Sequence, residues 1–381
     1  MGIDAHTRTK LSMRGVALLG AATLLVAACS GGGSSTATDP TPTVAVDTTT
    51  LDTTTLDTTT LDTTTLDTTP DTAGDTVPES TVPFVPSGPM CPPTPQGRIA
   101  YELGFEGAGV DGADVWTVQV VHPDGSNDSQ LIGGEQYLGL GQPSWSPDGT
   151  RAVVSAMVPN DQFLIVRCDG TIETVLEGLE METLSYPLSI DTPNHPSWSP
   201  DGKTLSFTSA DGLFLIDPAD PYPTRQVDIG IDLTVVRGRA SWSPDGDRLV
   251  FGATAADGNT DLYVVGIDGS GITRLTNDPG DDYQPAWSPD GSTIAFRSMR
   301  DGKLWLMAAD GSGQEPMFSG EGAAAAYQPS WSPDGTQLVY VSGEVGDTRV
   351  HIIDADGSGD RQVTATEPSP RFEGWPTWVG T

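Results

Sequence analysis

The segment at 143–149 has the sequence PSWSPDG, and the same seven residues return at 196–202. Serine suits the first position of a tight turn, proline fixes φ at the second, aspartate tolerates the third, and glycine supplies the left-handed residue that follows. A short run rich in β-branched residues, RAVVSA, comes next. The segment therefore predicts a β-hairpin corner, with one strand ending near Trp145 and the next beginning near Arg151.

The tryptophan of this corner recurs along the chain at regular intervals. Its positions are Trp145, Trp198, Trp242, Trp287, Trp331 and, without the following turn, Trp378. The successive spacings are 53, 44, 45, 44 and 47 residues. A period in the forties with several short strands per unit is typical of a propeller blade, whose small sheet must pack between neighbours. We therefore assign the six tryptophans to packing between blades.

The two ends of the repeat region complement each other. The first repeat opens with GRIAYE at 97–102, which has the pattern of a second blade strand, whereas GWPTWVG at 374–380 has the pattern of a first strand. Pairing of the C-terminal strand with the N-terminal blade would close the ring and remove both exposed sheet edges. The sequence thus predicts an all-β, six-bladed propeller over residues 96–381.

These motifs resemble a known family. The P-x-W-S-P-D-G corner, the aromatic third strand and the D-x-D-G-S-G turn are similar to those of TolB-like six-bladed propellers built from PD40 (WD40-like) repeats, over roughly residues 96–381. The resemblance implies a periplasmic scaffold that binds envelope lipoproteins. TolB-like proteins carry an α/β domain before the propeller, where this chain has a Thr-rich segment.

The N-terminus has the pattern of an export signal. Three basic residues, Arg8, Lys10 and Arg14, precede an apolar run that ends in VAAC at 26–29. This ending resembles a bacterial lipobox, which predicts a lipoprotein signal peptide over residues 1–28 and lipidation of Cys29. An ordinary signal peptide is the alternative, and a transmembrane anchor is disfavoured because the run is shorter than a bilayer requires.

Residues 29–91 differ in composition from all that follows. They contain LDTTT repeats among Thr, Asp, Pro, Gly and Ser, and nothing in them can bury a core, so we expect a disordered tether. Export would place Cys91 and Cys168 in an oxidising compartment, where they either form a disulfide or remain unpaired thiols. The expected location is the cell envelope, outside the cytoplasm, with the membrane contacted through the lipid anchor only.

The charge balance excludes one class of partner. The whole chain has a net charge of −34, and the region after residue 91 holds 15 basic and 42 acidic residues. Such a surface repels phosphate backbones, so we expect no binding to nucleic acid. Many of the acidic residues are turn formers that also confer solubility, while attraction to cations or to a basic partner is the other interpretation.

Motifs for metal binding or catalysis are weak. DADGSGD at 354–360, IDGSG at 267–271 and ADGSG at 309–313 resemble calcium loops, but they also suit hairpin turns, and they lack the distal Glu and flanking helices of an EF-hand. The four histidines, His6, His122, His195 and His351, lie at unrelated positions. No G-x-S-x-G motif is present. We therefore predict no catalytic residues and no cofactor, with structural Ca²⁺ a less favoured alternative.

A candidate binding surface lies at the starts of the innermost strands. Strand alternation places the residue three positions before each repeat Trp opposite that Trp, near the channel mouth. The candidate residues are Gln142, His195, Arg239, Gln284, Gln328 and Trp375, together with the preceding Tyr283 and Tyr327. The insertion at 180–194 is expected to overhang the same face. Variable residues on a constant frame are typical of binding surfaces, although these side chains could instead only cap the strands.

Three functions are compatible with this pattern. The first is a lipid-anchored, monomeric, non-catalytic scaffold that binds a protein or peptide of the cell envelope at the channel mouth. The second is a carbohydrate-binding or lyase-like propeller enzyme, since some PD40-like propellers resemble polysaccharide lyases with a His-rich metal site. The scattered histidines favour the first over the second. The third is a structural spacer or sensor head.

Overall fold

The computed structural model describes residues 97–105, 115–133, 139–157, 162–177, 180–181, 188–189, 194–209, 212–229, 235–318, 325–344, 346–365 and 372–379. The predicted signal peptide, the predicted tether, Cys29 and Cys91 lie outside these residues. The described residues contain strands and turns but no helix. None of them therefore belongs to a helix that could cross a bilayer.

The described strands are short, as expected from corner turns that recur every few tens of residues. In chain order they are β1 (Ile99–Phe105), β2 (Val115–Val121), β3 (Ser129–Ile132), β4 (Gly141–Trp145), β5 (Arg151–Ala156), β6 (Gln162–Arg167), β7 (Ile172–Leu176), β8 (Glu180–Met181), β9 (Leu188–Ser189), β10 (Asn194–Trp198), β11 (Leu205–Ser209), β12 (Gly212–Asp217), β13 (Asp220–Gln226), β14 (Val235–Trp242), β15 (Arg248–Thr254), β16 (Thr260–Gly266), β17 (Thr273–Arg274), β18 (Asp282–Trp287), β19 (Thr293–Ser298), β20 (Lys303–Ala308), β21 (Glu315–Pro316), β22 (Ala326–Trp331), β23 (Gln337–Glu344), β24 (Asp347–Asp354), β25 (Arg361–Gln362) and β26 (Phe372–Trp378).

These strands form six four-stranded antiparallel sheets, the blades of the propeller. From the inner to the outer strand they are β26-β1-β2-β3 (blade 1), β4-β5-β6-β7 (blade 2), β10-β11-β12-β13 (blade 3), β14-β15-β16-β17 (blade 4), β18-β19-β20-β21 (blade 5) and β22-β23-β24-β25 (blade 6). A separate two-stranded sheet, β8-β9, lies within the insertion at 180–194. The predicted six-bladed propeller is confirmed.

The ring closes as the sequence predicts. Strand β26 pairs antiparallel with β1, with Ile99 opposite Trp378 and Glu102 opposite Gly374. Next to this pair, the backbone N–H of Val379 donates to the carbonyl of Arg98 at 2.7 Å. The last described strand therefore supplies the inner strand that blade 1 would otherwise lack, and it covers the inner edge of β1.

The repeated corner has the predicted turn geometry. In blade 2, the N–H of Gly149 donates to the carbonyl of Ser146 at 2.8 Å, and Gly149 has φ of 67°. The Asp148 carboxylate accepts bonds from the Ser146 hydroxyl at 2.6 Å and from the Thr150 N–H at 3.0 Å. Serine and aspartate thus satisfy polar groups of the turn, and the glycine takes its left-handed position.

The hydrophobic core consists of apolar clusters between neighbouring blades. Trp198, for example, packs with Phe163 and Ile165 of blade 2 and with Leu205 and Phe207 of its own blade 3. The other repeat tryptophans occupy the equivalent place at the remaining five junctions: Trp145, Trp242, Trp287, Trp331 and Trp378. Each blade therefore buries its faces against two others, which explains why the sheets form a closed ring.

Candidate functional site

The candidate residues lie on one face of the propeller. The inner strands begin on this face, here called the rim face, and five of the six end at PDG corners on the opposite face, here called the corner face. Between them, each inner strand has a break in its register with the second strand. Such a break is a β-bulge, which redirects a side chain and bends the strand.

At five of these bulges a non-glycine residue has left-handed backbone geometry. The residues, each three positions before the repeat Trp, are Gln142 (φ 54°), His195 (55°), Gln284 (53°), Gln328 (58°) and Trp375 (47°). In blade 4 the left-handed residue is instead Gly238, with φ of 74°, one position earlier. The simple strand alternation predicted from the sequence is therefore interrupted at these positions. The bulge determines where their side chains point.

Three glutamines of the candidate set link neighbouring blades. The Gln142 Oε1 accepts a bond from the backbone N–H of His195 at 2.7 Å. The Gln284 Oε1 accepts from the N–H of Gln328 at 3.1 Å, and the Gln328 Oε1 accepts from the N–H of Trp375 at 2.7 Å. Each side chain thus satisfies a bulge residue of the next blade. We call these contacts the amide latches.

A carboxyl group that sequence reasoning missed makes the equivalent contact from blade 1. The Glu102 Oε2 accepts a bond from the N–H of Gln142 at 3.1 Å. Burial raises the pKa of Glu102 to about 7, against the opposing effects of this hydrogen bond and of the nearby Arg239. Aligning the second strands of the six blades could have revealed this contact, because Glu102 is the only acidic residue at its position. The other five blades have Ser155, Thr208, Gly252, Arg297 and Val341 there.

Arg239 extends from blade 4 to the opposite side of the channel. Its Nη2 donates to the carbonyl of Pro143 in blade 2 at 2.8 Å, and its Cζ lies 5.6 Å from the ring centroid of Trp375 in blade 1. The His195 ring contacts the same indole edge to face, with centroids 4.4 Å apart. Burial, assisted by Arg239, lowers the pKa of His195 to about 3, so this imidazole is neutral at physiological pH.

The two candidate tyrosines lie in blades 5 and 6. The Tyr283 hydroxyl donates to the Asp281 carboxylate at 2.5 Å. The Arg297 guanidinium lies 5.1 Å from the ring centroid of Tyr327, and burial raises the pKa of Tyr327 to about 12. Both tyrosines are partly exposed. The structure therefore brings the predicted residues to one face, but it also gives most of them a contact within the propeller.

The remaining sequence candidates lie elsewhere. In the calcium-like turn at 354–360, the Asp356 carboxylate accepts from the Ser358 N–H at 2.9 Å and from its hydroxyl at 2.6 Å. The His351 Nδ1 lies 3.1 Å from the Asp360 carboxylate. Cys168 is disulfide-bonded, while Cys91, its partner under the disulfide alternative, lies outside the described residues. Within the described ranges, no group of three or more His, Cys, Asp or Glu side chains is arranged to hold a metal ion.

The rim face also exposes apolar side chains. Met157 and Met299 directly follow second strands, which end on this face, and they are 39% and 47% exposed. The arrangement offers an arginine supported by an indole, partly exposed tyrosines and two methionines around the channel mouth. Such a mixture of aromatic, Arg and Met side chains is the composition enriched at protein interfaces. By contrast, the corner face repeats the same Ser-Pro-Asp-Gly turn in five blades.

Comparison with known proteins supports this architecture. Residues 224–378 match the PD40 family model, described as a TolB beta propeller domain. The crystal structure of TolB from Acinetobacter baumannii is similar with a TM-score of 0.60 and 20% identity, over 75% of this chain and 67% of that one. At this identity the likeness supports the fold.

Three curated relatives match over smaller parts. An uncharacterized protein, Atu1656, of Agrobacterium fabrum is 29% identical over 38% of this chain and 66% of its own length. A TolB homolog of Chlorobium luteolum is 33% identical over 31% of this chain and 27% of its own length. An uncharacterized peptidase, YuxL, of Bacillus subtilis is 28% identical over 40% of this chain and 28% of its own length. The matches thus span less than two thirds of each relative.

Proposed function

We propose that this protein, which carries a PD40 TolB β-propeller domain over residues 224–378, is an exported, lipid-anchored scaffold that binds a protein or peptide on its rim face without catalysis of its own. The observation that carries the proposal is the difference between the two faces. Arg239 and Trp375 each occur in one blade where the others have Gln or His, and the Tyr and Met positions are shared by only two blades each, whereas the corner turn repeats in five. Variable side chains on a constant frame favour recognition at the rim.

The apolar contribution of this face supports binding of a polypeptide. Met157 and Met299 place flexible, polarisable side chains partly in water, 39% and 47% exposed, and burial of these exposed parts by a partner would be favourable by about 0.6–1.4 kcal/mol each. The partly exposed Tyr283 and Tyr327 add amphipathic rings that can bury apolar area beside a polar hydroxyl.

The anchoring part of the proposal rests on the sequence. The VAAC segment at 26–29 supplies the lipobox, and residues 29–91 supply a tether that separates the propeller from the membrane. Replacing Cys29 with Ser should move the protein from the membrane fraction to the soluble extracytoplasmic fraction and abolish incorporation of labelled palmitate. Retention in the membrane without palmitate would show a different mode of attachment.

Site-specific photocrosslinking in living cells tests the binding face. A photoreactive amino acid at Met157 or Met299 should capture the same envelope protein, because both side chains project from the rim face. Asp290 and Asp310, which lie in exposed corner-face turns, are the matched controls and should capture little. Equal capture from both faces, or no captured protein from either, would contradict the proposal.

A further inference from the structure

Arg239 lies at the channel with incompletely satisfied donors. A guanidinium has five N–H groups. One of its Nη2 hydrogens bonds to the carbonyl of Pro143 at 2.8 Å, whereas Nε is buried and has no hydrogen-bond partner. Among the ion pairs of the described residues, none joins Arg239 to a carboxylate. A partly buried cation with unused donors is costly, so this group favours an anionic hydrogen-bond acceptor.

The surrounding side chains do not cancel this charge. Glu102 attracts Arg239, but burial raises the pKa of Glu102 to about 7, so that near neutral pH a large fraction of this carboxyl is uncharged. Burial also lowers the pKa of Arg239 to about 10, which still leaves the guanidinium protonated. His195, which also contacts the Trp375 ring, is neutral because burial lowers its pKa to about 3. A chain with a net charge of −34 therefore keeps a local positive charge at its channel.

The backbone keeps Arg239 in this position. In the other five blades the bulge residue itself has left-handed geometry, whereas in blade 4 Gly238 takes that role with φ of 74°. The residue after the glycine is then free to extend over the channel. There the Trp375 ring supports the guanidinium by a cation–π contact, with Cζ 5.6 Å from the ring centroid.

We propose that Arg239, supported by the Trp375 indole, is a binding site for a carboxylate group that a partner presents in the channel. The planar fork of a guanidinium matches the two oxygens of a carboxylate, and charge-assisted bonds of this kind are about twice as strong as neutral ones. The inference rests on the proposed function, because the carboxylate would belong to a peptide held at the rim. Its source is either a C-terminal carboxylate or an Asp or Glu side chain.

Titration of the full chain with defined carboxylates tests the site. The probes are acetate, N-acetyl-diglycine with a free C-terminus, its C-terminal amide, and N-acetyl-aspartate amide, with Trp375 followed through 5-fluorotryptophan signals assigned with Trp375→Phe. The free carboxylates should shift the Trp375 signal and the diglycine amide should not. A stronger response to N-acetyl-diglycine or to N-acetyl-aspartate amide would identify the terminal or the side-chain source.

Three variants make the test specific. Arg239→Gln should weaken carboxylate binding by about tenfold or more, since it removes the charged fork. Glu102→Gln should strengthen it about twofold at pH 7, because it removes the ionised fraction of Glu102 and keeps an acceptor for the Gln142 N–H. Arg248→Gln is the matched control: it removes the same charge from the corner end of blade 4, where Arg248 stacks on Trp287, and should leave affinity unchanged. Unchanged melting temperatures would establish that the variants are folded.

The inference would be overturned if carboxylates left the Trp375 signal unmoved, or if Arg239→Gln and Arg248→Gln affected it equally. Its failure can be distinguished from failure of the proposed function. Partner capture at Met299 together with no carboxylate response would refute only the Arg239 site, whereas a carboxylate response without any captured envelope protein would refute only the scaffold.

Discussion

The amide latch between blade 6 and the closing strand predicts how the ring responds to a single substitution. Gln328 is 8% exposed, and its Oε1 accepts the N–H of Trp375 at 2.7 Å. In Gln328→Ala the Trp375 N–H loses this acceptor, which should lower the free energy of unfolding by about 1–3 kcal/mol. The left-handed strain at position 328, with φ of 58°, should be nearly the same for Ala and for Gln.

Gln328→Gly separates the latch from the strain. Glycine also removes the acceptor, but it adopts φ of 58° without the roughly 1–2 kcal/mol cost of an L side chain. Part of this gain is offset by the larger entropy of glycine in the unfolded chain, about 0.5–1 kcal/mol. We therefore expect the order of stability to be wild type, then Gln328→Gly, then Gln328→Ala.

Urea unfolding of the full chain, followed by tryptophan fluorescence, measures these differences. Gln328→Glu is the matched control, because it keeps an acceptor oxygen for the Trp375 N–H while adding a charge. An Ala variant within about 0.5 kcal/mol of wild type would show that the latch contributes nothing measurable. A Gly variant less stable than the Ala variant would refute the assignment of strain to the bulge.

Other features give further predictions. Glu102, with a folded pKa of about 7 against an ordinary 4.5, contributes stability that is complete below pH 4.5 and is lost as pH rises through 7; Glu102→Gln should remove this fall from a series of unfolding free energies. His195, with a folded pKa of about 3 against 6.5, contributes stability above pH 6.5 that is lost as pH falls toward 3, so His195→Gln should remove this fall on the acid side of the same series. Trp378→Ala should cost about 3–5 kcal/mol because it empties the cluster that joins blade 1 to blade 6, measured by the same urea titration. Non-reducing peptide mapping should recover one peptide pair joined through Cys91 and Cys168, and separate peptides would contradict that pairing.

Much of the fold could be predicted because its signals are local. The corner motif specifies a turn through its own residues, and the spacing of Trp145 and its repeats gives the size of each blade. Ring closure followed from two incomplete strand patterns at 97–102 and 374–380. These predictions did not require knowledge of which distant side chains contact each other. They required only that each blade bury its faces against its neighbours.

The chemistry of the rim was less predictable because it depends on contacts between blades. Left-handed geometry at Gln142 or Trp375 cannot be inferred from the residue type, since both prefer negative φ, and only Gly238 gives a sequence signal. The raised pKa of Glu102 results from burial beside Gln142 of the next blade, a contact between residues 40 positions apart. Likewise, the contact of Arg239 with Pro143 joins blade 4 to blade 2.

The closing strand also has a consequence for biosynthesis. Ile99 pairs with Trp378 about 280 residues later, a separation that makes this contact among the slowest to form. While the ribosome is still adding the final repeat, blade 1 has no inner strand, and the latch between Gln328 and Trp375 does not exist. Loss of the segment from residue 372 onward would therefore leave blade 1 without its inner strand and its polar backbone groups open to proteases.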